Sequence, residues 1–398
     1  MRFPATGGVG TPRSESARRW PVGLLVTVLL AAGTLSAAAE IVRLEAPGRA
    51  LGPERLCLIG PEAEFSWSDG QPPVLQPARG LFSYFREGEV PLWPVVRLPE
   101  SVVRGEVIRP LLALPEALEG LELQVTGGEG EETSIRVPGF ALDPGGRAWA
   151  VVLGVESTVQ AGQRTLILTG WSGDRKFEYH AGLQVLHREF ESESIAFNQA
   201  LSELMTAPDP RKDQEYFRLR DVLAAHDPQS LYHQGQLIVP VAATRRTSGF
   251  ADRRLYSYAD GGSSRSLHNG VDLAAPIGTS VVAAGAGRVV LAADRVLTGL
   301  TVVLEHLPGV YSLYYHLDSL VVEEGRLVDQ GETIGTVGMT GLATGPHLHW
   351  ELRVAGTAVD PDSLVREPLI DETALWHIME DLHMGLRRVE FMDLEERR

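Results

Sequence analysis

The chain has 398 residues, of which 44% are hydrophobic and 22% are charged, and its formal net charge at pH 7 is −16. This length suffices for two or three domains with separate cores, and this composition excludes disorder along the whole chain. An acidic surface repels phosphate backbones, and the sequence has no basic patch with interleaved aromatic residues, so we do not expect nucleic acid as a partner.

The first 39 residues have the pattern of an export signal. Arg18 and Arg19 precede an apolar run over residues 22–35, and the segment closes on "SAAAE". The A-x-A ending predicts a signal peptide that is cleaved between Ala39 and Glu40. The alternative is an uncleaved membrane anchor, because residues 21–39 are nearly long enough to span a bilayer.

Cys57 is the only cysteine, which excludes an intrachain disulfide and a cluster of thiolate metal ligands. We expect it to be a buried apolar thiol. Residues 40–99, which surround it, are rich in Pro and Gly and predict an irregular N-terminal region with scattered strands.

Two further regions precede the C-terminal part of the chain. In residues 100–190, short apolar stretches such as "GLELQV" and "RTLILTGW" alternate with turn clusters such as "DPGGR", which predicts an immunoglobulin-like β-sandwich. In residues 191–235 the period becomes helical and predicts a helical hairpin that links two β domains. One face of that hairpin is expected to carry Ile195, Leu201, Leu204 and Met205.

Strands return in residues 236–364, where stretches such as "TSVVAAGAGRVVLAA" predict an all-β domain. Residues 365–398 form a tail whose apolar residues recur at helical steps, which predicts an amphipathic helix packed on the body. The sequence as a whole therefore predicts a mainly β fold.

Histidines occur at spacings that suit strands. In "GPHLHWE", His347 and His349 would share one face of a strand, with Leu348 and Trp350 on the other. In "HNGVDLAAP", His268 and Asp272 are also an even number of residues apart, and Gly270 between them would leave room for an ion. Two histidines and an aspartate make a three-ligand site for zinc with one open position.

Three motifs follow one another after "TSGFADRR": H-x-x-x-D at His268 to Asp272, Y-x-H-L at Tyr314 to Leu317, and H-x-H-x-E at His347 to Glu351. With these motifs, residues 249–361 resemble the LytM/lysostaphin family of zinc endopeptidases. The resemblance implies an all-β catalytic domain built on a duplicated hybrid motif. It also implies a zinc ion held by His268, Asp272 and His349, with His316 and His347 as the catalytic pair.

The resemblance implies a secreted zinc metalloendopeptidase that hydrolyses peptide cross-links of bacterial peptidoglycan in the cell envelope, either in the periplasm or outside the cell. Its partners would then be peptidoglycan peptides. The alternative is a non-catalytic LytM-type adaptor that binds and activates another cell-wall hydrolase. A third hypothesis arises because "VVEEGRLVDQGETIGTVG" resembles the hairpin of biotinyl and lipoyl carriers. It fails because the only lysines, Lys176 and Lys212, precede the domain.

The sequence leaves several roles open. Glu351 could orient an imidazole or be a charge at a strand end, and Tyr314 could donate to an oxyanion or be a packing aromatic. We expect His306 to be structural. Because every motif residue follows Gly249, we also expect residues from 236 onward to fold and act without the upstream region.

Overall fold

The structure is a computed structural model. It describes residues 54–58, 74–75, 95–114, 117–127, 134–173 and 175–371. The predicted signal peptide, its anchor alternative, most of the irregular N-terminal region and the predicted helix of the tail lie outside the described residues. So does the environment of the Cys57 side chain. Within the described ranges, no helix is both long enough and apolar enough to cross a bilayer.

The upstream region is a two-layered β-sandwich. One sheet has the order β1-β3-β6-β10-β9, the other has the order β2-β13-β12-β7-β8 with β4 also paired to β13, and β5 pairs with β11. The strands are β1 (Glu54–Leu58), β2 (Val74–Leu75), β3 (Val95–Pro99), β4 (Ser101–Val103), β5 (Val107–Ile108), β6 (Leu111–Ala113), β7 (Gly120–Thr126), β8 (Ser134–Pro138), β9 (Phe140–Ala141), β10 (Ala148–Ala150), β11 (Leu153–Gly154), β12 (Gly162–Ser172) and β13 (Arg175–Leu186).

The sandwich forms because its strands alternate apolar and polar residues. In β12, for example, Leu166 and Leu168 are fully buried, and Ile167 between them is half-buried. They pack on Leu112 and Trp149 of the opposite sheet. The sandwich predicted for residues 100–190 is therefore present. It also takes in β1, β2 and β3, which come from the region where only scattered strands were expected.

A strand and two helices follow the sandwich: β14 (Ser192–Ala196), α1 (Gln199–Thr206) and α2 (Pro210–Ala224). Asn198 caps α1 by accepting a hydrogen bond from the backbone N–H of Leu201. Asp209 caps α2 in the same way, with Pro210 in the first turn. The predicted hairpin is present, but the expectation of a helix from residue 191 was wrong. Ile195 lies on β14, because this segment pairs with another strand.

The C-terminal domain is built on a ten-stranded sheet with the main order β15-β18-β25-β22-β21-β20-β23, to which β19, β24 and β26 add. A second sheet has the order β14-β16-β17. The elements are β15 (Arg245–Ser248), β16 (Arg253–Ser257), β17 (Ser263–Leu267), β18 (Gly270–Ala274), β19 (Ser280–Val282), β20 (Gly287–Arg295), β21 (Gly299–Leu307), β22 (Val310–Leu320), β23 (Leu327–Val328), β24 (Thr333–Val337), β25 (His347–Val354), β26 (Thr357–Val359) and α3 (Pro361–Arg366).

The end of this domain lies beyond the predicted boundary at residue 364. Helix α3 continues to Arg366, and the backbone N–H groups of Leu369 and Ile370 donate to the carbonyls of Gly235 and Gln234, each at 3.0 Å. Leu369 and Ile370 are buried in the core. Residues 365–370 therefore belong to the domain, because α3 extends into them and Leu369 and Ile370 are buried and hydrogen-bonded there.

The sandwich and the C-terminal domain share buried surface. Val107 and Phe140 of the sandwich belong to the same apolar cluster as Val359 of β26. Next to it, the N–H of Asp360 donates to the carbonyl of Gly105 at 2.7 Å, and its carboxylate pairs with Arg188 at 2.7 Å. The two regions are thus packed on each other along β26.

Helix α2 covers the outer face of the C-terminal sheet. Leu223 packs with Tyr311 and Leu313 of β22, and the hydroxyl of Tyr311 donates to the carbonyl of Ala225 at 2.7 Å. The hairpin therefore does more than link two domains. A fragment that begins at residue 236 would expose this apolar cluster to water, so the structure argues against our expectation that such a fragment suffices.

We predict that Leu223→Ala lowers the free energy of unfolding by about 2 kcal/mol or more, because it removes a buried side chain from the α2 interface. The matched control is Tyr216→Ala on the same helix, where the side chain is 62% exposed. That change should stay within about 0.5 kcal/mol of the wild type. Urea denaturation measures both values, and equal stabilities for the two variants would contradict the packing role of α2.

Candidate active site

The register between β18 and β25 brings the motif residues together. The two strands are antiparallel, and Asp272 lies directly opposite His349. Because side chains alternate along a strand, Val271 and Leu273 enter the core on the opposite face of β18, and both are buried. Leu348 does the same on β25. The predicted face for His347 and His349 is therefore the one that the structure shows.

His268, Asp272 and His349 each direct one ligand atom to a common point. His268 Nε2 lies 3.0 Å from Asp272 Oδ1 and 2.8 Å from His349 Nδ1, and His349 Nδ1 lies 2.9 Å from Asp272 Oδ1. These separations are close to the edges of a tetrahedron of ligands about 2 Å from a central zinc ion. The donor set therefore fits a divalent metal ion.

The backbone orients the His268 ring. His268 Nδ1–H donates to the carbonyl of Gly249 at 2.6 Å, which leaves the lone pair on Nε2 for a metal ion. His268 itself precedes β18, and the turn after β15 supplies the carbonyl. The residues of "TSGFADRR" thus contribute to the site through their backbone.

His316 and His347 stand beside this group, with ring centroids 4.8 Å apart. His316 Nδ1–H donates to the carbonyl of Thr340 and His347 Nδ1–H to that of Gly345, each at 2.8 Å. Both rings therefore carry the lone pair of the neutral form on Nε2. His347 Nε2 lies 3.6 Å from Asp272 Oδ1, so it faces the same point as the three ligand atoms.

The electrostatics of the group suit a cation. Burial raises the pKa of Asp272, but hydrogen bonds with His268 and His349 outweigh burial and hold the pKa well below its usual range. Burial lowers the pKa of His349, but Asp272 and Glu351 outweigh burial and raise the pKa to about 9. Two carboxylates thus favour positive charge at this place.

His316 differs from His349 in its electrostatics. Burial, together with the nearby imidazoles of His347 and His349, lowers the pKa of His316 to about 3. It also has a φ of +61°, a conformation that is unfavourable for a residue with a side chain. The strand is therefore distorted at the point where it presents this imidazole.

The structure decides the roles that the sequence left open. Glu351 is buried and lies 3.5 Å from His349 Nε2, so it is a partner of that imidazole rather than a charge at a strand end. Tyr314 is fully buried and accepts hydrogen bonds from the Ala284 N–H and the Ser312 hydroxyl, which makes it a packing aromatic. His306 is fully buried between Ala286 and Ser312, as expected of a structural residue.

Three residues outside the predicted set belong to the site. Tyr315 stacks on His349 with ring centroids 5.1 Å apart, and Arg254 donates to Asp272 Oδ2 at 2.7 Å. Glu193 pairs with Arg254. Arg254 lies within "TSGFADRR" and Tyr315 within "LYYHL", so the sequence marked both segments. Nothing near Glu193 in the sequence indicates a site.

An open cleft of about 490 Å³ contains these groups. Asp272, His316, His347 and His349 line it. Residues of β14 and of the loop before β25 also line it: Glu193, Ile195, Leu342, Thr344 and Pro346. The histidines therefore share one cleft with residues of β14.

A β domain thus gathers two histidines and a carboxylate in an open cleft, with two more histidines beside them, and this is a donor set that zinc accepts in sites with one open position. The sequence profile of peptidase family M23 matches residues 266–361. This segment of the chain is therefore a domain of peptidase family M23.

Proteins of known name match part of the chain. The peptidoglycan DD-endopeptidase ShyA of Vibrio cholerae is 40% identical over 116 residues, which are 29% of this chain and 26% of that protein. The DD-carboxypeptidase/endopeptidase Mpg of Neisseria meningitidis is 40% identical over 130 residues, which are 32% of this chain and 28% of that protein. The matches thus span only about a quarter of each relative's length.

Among solved structures, a candidate M23 peptidase from Pseudomonas aeruginosa aligns with 66% of this chain and 94% of its own length. Its sequence identity is 25% and its TM-score is 0.47.

Gly270 has a different role from the one predicted. A Cβ atom on it would lie 2.2 Å from the carbonyl oxygen of Trp350, so the absent side chain permits β18 and β25 to approach closely. Our interpretation that Gly270 leaves room for an ion was wrong, because the space is filled by the backbone of the neighbouring strand.

We predict that Gly270→Ala lowers the free energy of unfolding by about 1–3 kcal/mol and also weakens binding of added Zn²⁺, because the strands that carry Asp272 and His349 must separate. Gly182→Ala in β13 is the control, since its nearest atom, Gln163 Oε1, is 3.9 Å away. Thermal unfolding and chelator competition give the two quantities. If Gly270→Ala had the stability and the zinc affinity of the wild type, the close approach of β18 and β25 at Gly270 would be contradicted.

Proposed function

We propose that this protein is an exported zinc-dependent endopeptidase that hydrolyses peptide cross-links of bacterial peptidoglycan. The observation that supports it best is the convergence of His268 Nε2, Asp272 Oδ1 and His349 Nδ1 beside two further histidines in an open cleft. The name of the relative ShyA, a peptidoglycan DD-endopeptidase, supports peptidoglycan as the substrate.

The proposed metal ligands are His268, Asp272 and His349. Two imidazole nitrogens and one carboxylate oxygen are a donor set that zinc accepts in catalytic sites, where a fourth position stays open. When bound, zinc supplies Lewis acidity to the carbonyl group that is cleaved and to the attacking water. Glu351 holds the His349 ring in place from its other nitrogen.

The proposed catalytic pair is His316 and His347. Each ring donates Nδ1–H to a backbone carbonyl, so each presents Nε2 to the cleft as a proton acceptor. One imidazole takes a proton from the attacking water at Nε2. That imidazole then donates the proton to the leaving amine, and the other, protonated at Nε2 from solvent through the open cleft, donates a hydrogen bond to the developing oxyanion.

The proposed substrate supports a location in the bacterial cell envelope, which is also what the predicted signal peptide would give. The periplasm and the cell exterior are both consistent with it, and an uncleaved leader would add a membrane anchor. The direct test incubates the protein with purified peptidoglycan and identifies the released fragments by mass spectrometry. Fragments cut within the peptide cross-links are expected.

We predict that His349→Ala lowers zinc content and fragment release together, because it removes a ligand. His347→Ala should keep the zinc, since His268, Asp272 and His349 remain, but should lower turnover roughly a hundredfold or more through loss of proton transfer or oxyanion stabilisation. Elemental analysis and fragment release measure the two effects, beside circular dichroism for folding.

The matched control is His187→Ala, an exposed histidine that lies outside the cleft. It should keep both zinc and turnover. Loss of zinc from His347→Ala with retention by His349→Ala would reverse the assignment of the two residues. If both variants kept full wall cleavage in the presence of a partner hydrolase, and the wild type alone cut nothing, the adaptor hypothesis would replace the enzyme.

A further inference from the structure

Strand β14 reaches the candidate metal centre although it lies far upstream of the M23 segment, residues 266–361. It pairs in parallel with β16, and the register places Glu193 directly beside Arg254. The ring of Phe197, just after β14, stacks on Tyr256 with centroids 4.8 Å apart. This end of the strand is therefore anchored by an aromatic contact as well as by the backbone ladder.

Arg254 connects β14 to Asp272. Its Nη2 donates to Asp272 Oδ2 at 2.7 Å, and its Nε donates to Glu193 Oε1. The same Glu193 oxygen accepts a hydrogen bond from the hydroxyl of Ser248 at 2.8 Å. Only 12% of the Arg254 side chain is exposed, so a largely enclosed guanidinium connects Asp272 with Glu193 in one network.

The network uses the oxygen of Asp272 that the other ligand groups leave free. Asp272 Oδ1 faces His268 and His349, and Oδ2 faces Arg254. Because a carboxylate is planar, a guanidinium held on one oxygen fixes the direction of the other. Arg254 thereby sets the orientation of the carboxylate toward the two imidazoles.

The charges explain why Glu193 is needed as well. A guanidinium alone next to a divalent cation would repel the cation and draw negative charge away from Asp272. Glu193 supplies the compensating charge on the far side of Arg254. Removing Glu193 would leave the largely enclosed Arg254 guanidinium to share Asp272 with the metal ion, without a second carboxylate to balance its charge.

We propose that Arg254 and Glu193 are positioning residues for the metal ligand Asp272, and that β14 is consequently part of the metal centre. This inference rests on the proposed function in one respect: it takes His268, Asp272 and His349 as the ligands of a zinc ion. Neither positioning residue touches the substrate's reacting atoms in this arrangement.

The test compares full-length variants by their dissociation constants for Zn²⁺, measured by competition with a chelator, beside thermal unfolding of the metal-free proteins. Arg254→Met should weaken zinc binding by about 10–100-fold, the usual effect of losing a group that orients a ligand. Arg254→Lys should recover only part of the affinity, because one ammonium lacks the fork that serves both carboxylates. Glu193→Gln should weaken binding by about tenfold.

A double variant of Glu193→Gln and Arg254→Met should lose less than the product of the two single losses, because both residues act through one network. The control is Arg246→Met. Arg246 makes a two-fold contact with Asp362, at 2.7 Å for each pair of atoms, and does not contact the site, so zinc affinity should not change.

Wild-type zinc affinity in folded Arg254→Met and Glu193→Gln would overturn the inference and leave the proposed function intact. If Arg254→Met does not fold, wild-type zinc affinity in folded Arg254→Lys and Glu193→Gln would overturn the inference in the same way. Absence of zinc binding by the wild type itself would instead overturn the proposed function, and this inference with it.

Discussion

The antiparallel pairing of β18 with β25 is the interaction on which the site depends. It sets Asp272 opposite His349 and places the apolar residues between them in the core. A slip of one residue in this register would turn the ligands into the core and the leucines into the cleft. The close approach at Gly270 and the buried faces of both strands oppose such a slip, so the core and the site are specified by the same contacts.

A cluster of buried imidazoles and carboxylates is costly unless each group has a partner. Here the partners come from several directions: backbone carbonyls fix the outer nitrogens of His268, His316 and His347, and Glu351 and Tyr315 hold His349. The site is therefore organised by the protein chain itself, which favours a single geometry at the point where the ligand atoms meet.

The upstream elements extend this support beyond the M23 segment. Helix α2 covers an apolar face of the sheet, and β14 completes the small sheet beside the cleft. Both would be treated as a linker by any division of the chain based on motifs alone. Their packing explains why a boundary at residue 236 cuts through a folded unit rather than between two units.

The sequence by itself determined the mainly β class, the two-layered sandwich, the hairpin helices and the motif residues, because alternation and spacing are local properties of a chain. Even the shared face of His347 and His349 followed from strand geometry. Only the tertiary structure decided that Tyr314 is a packing aromatic in the core. It also decided that the missing side chain of Gly270 lets β18 and β25 approach closely, and that Glu351 orients the His349 ring. The tertiary structure alone brought Glu193 to Arg254 and Asp272. A contact between strands that are distant in sequence depends on strand pairing and register, and no local pattern around Glu193 encodes these.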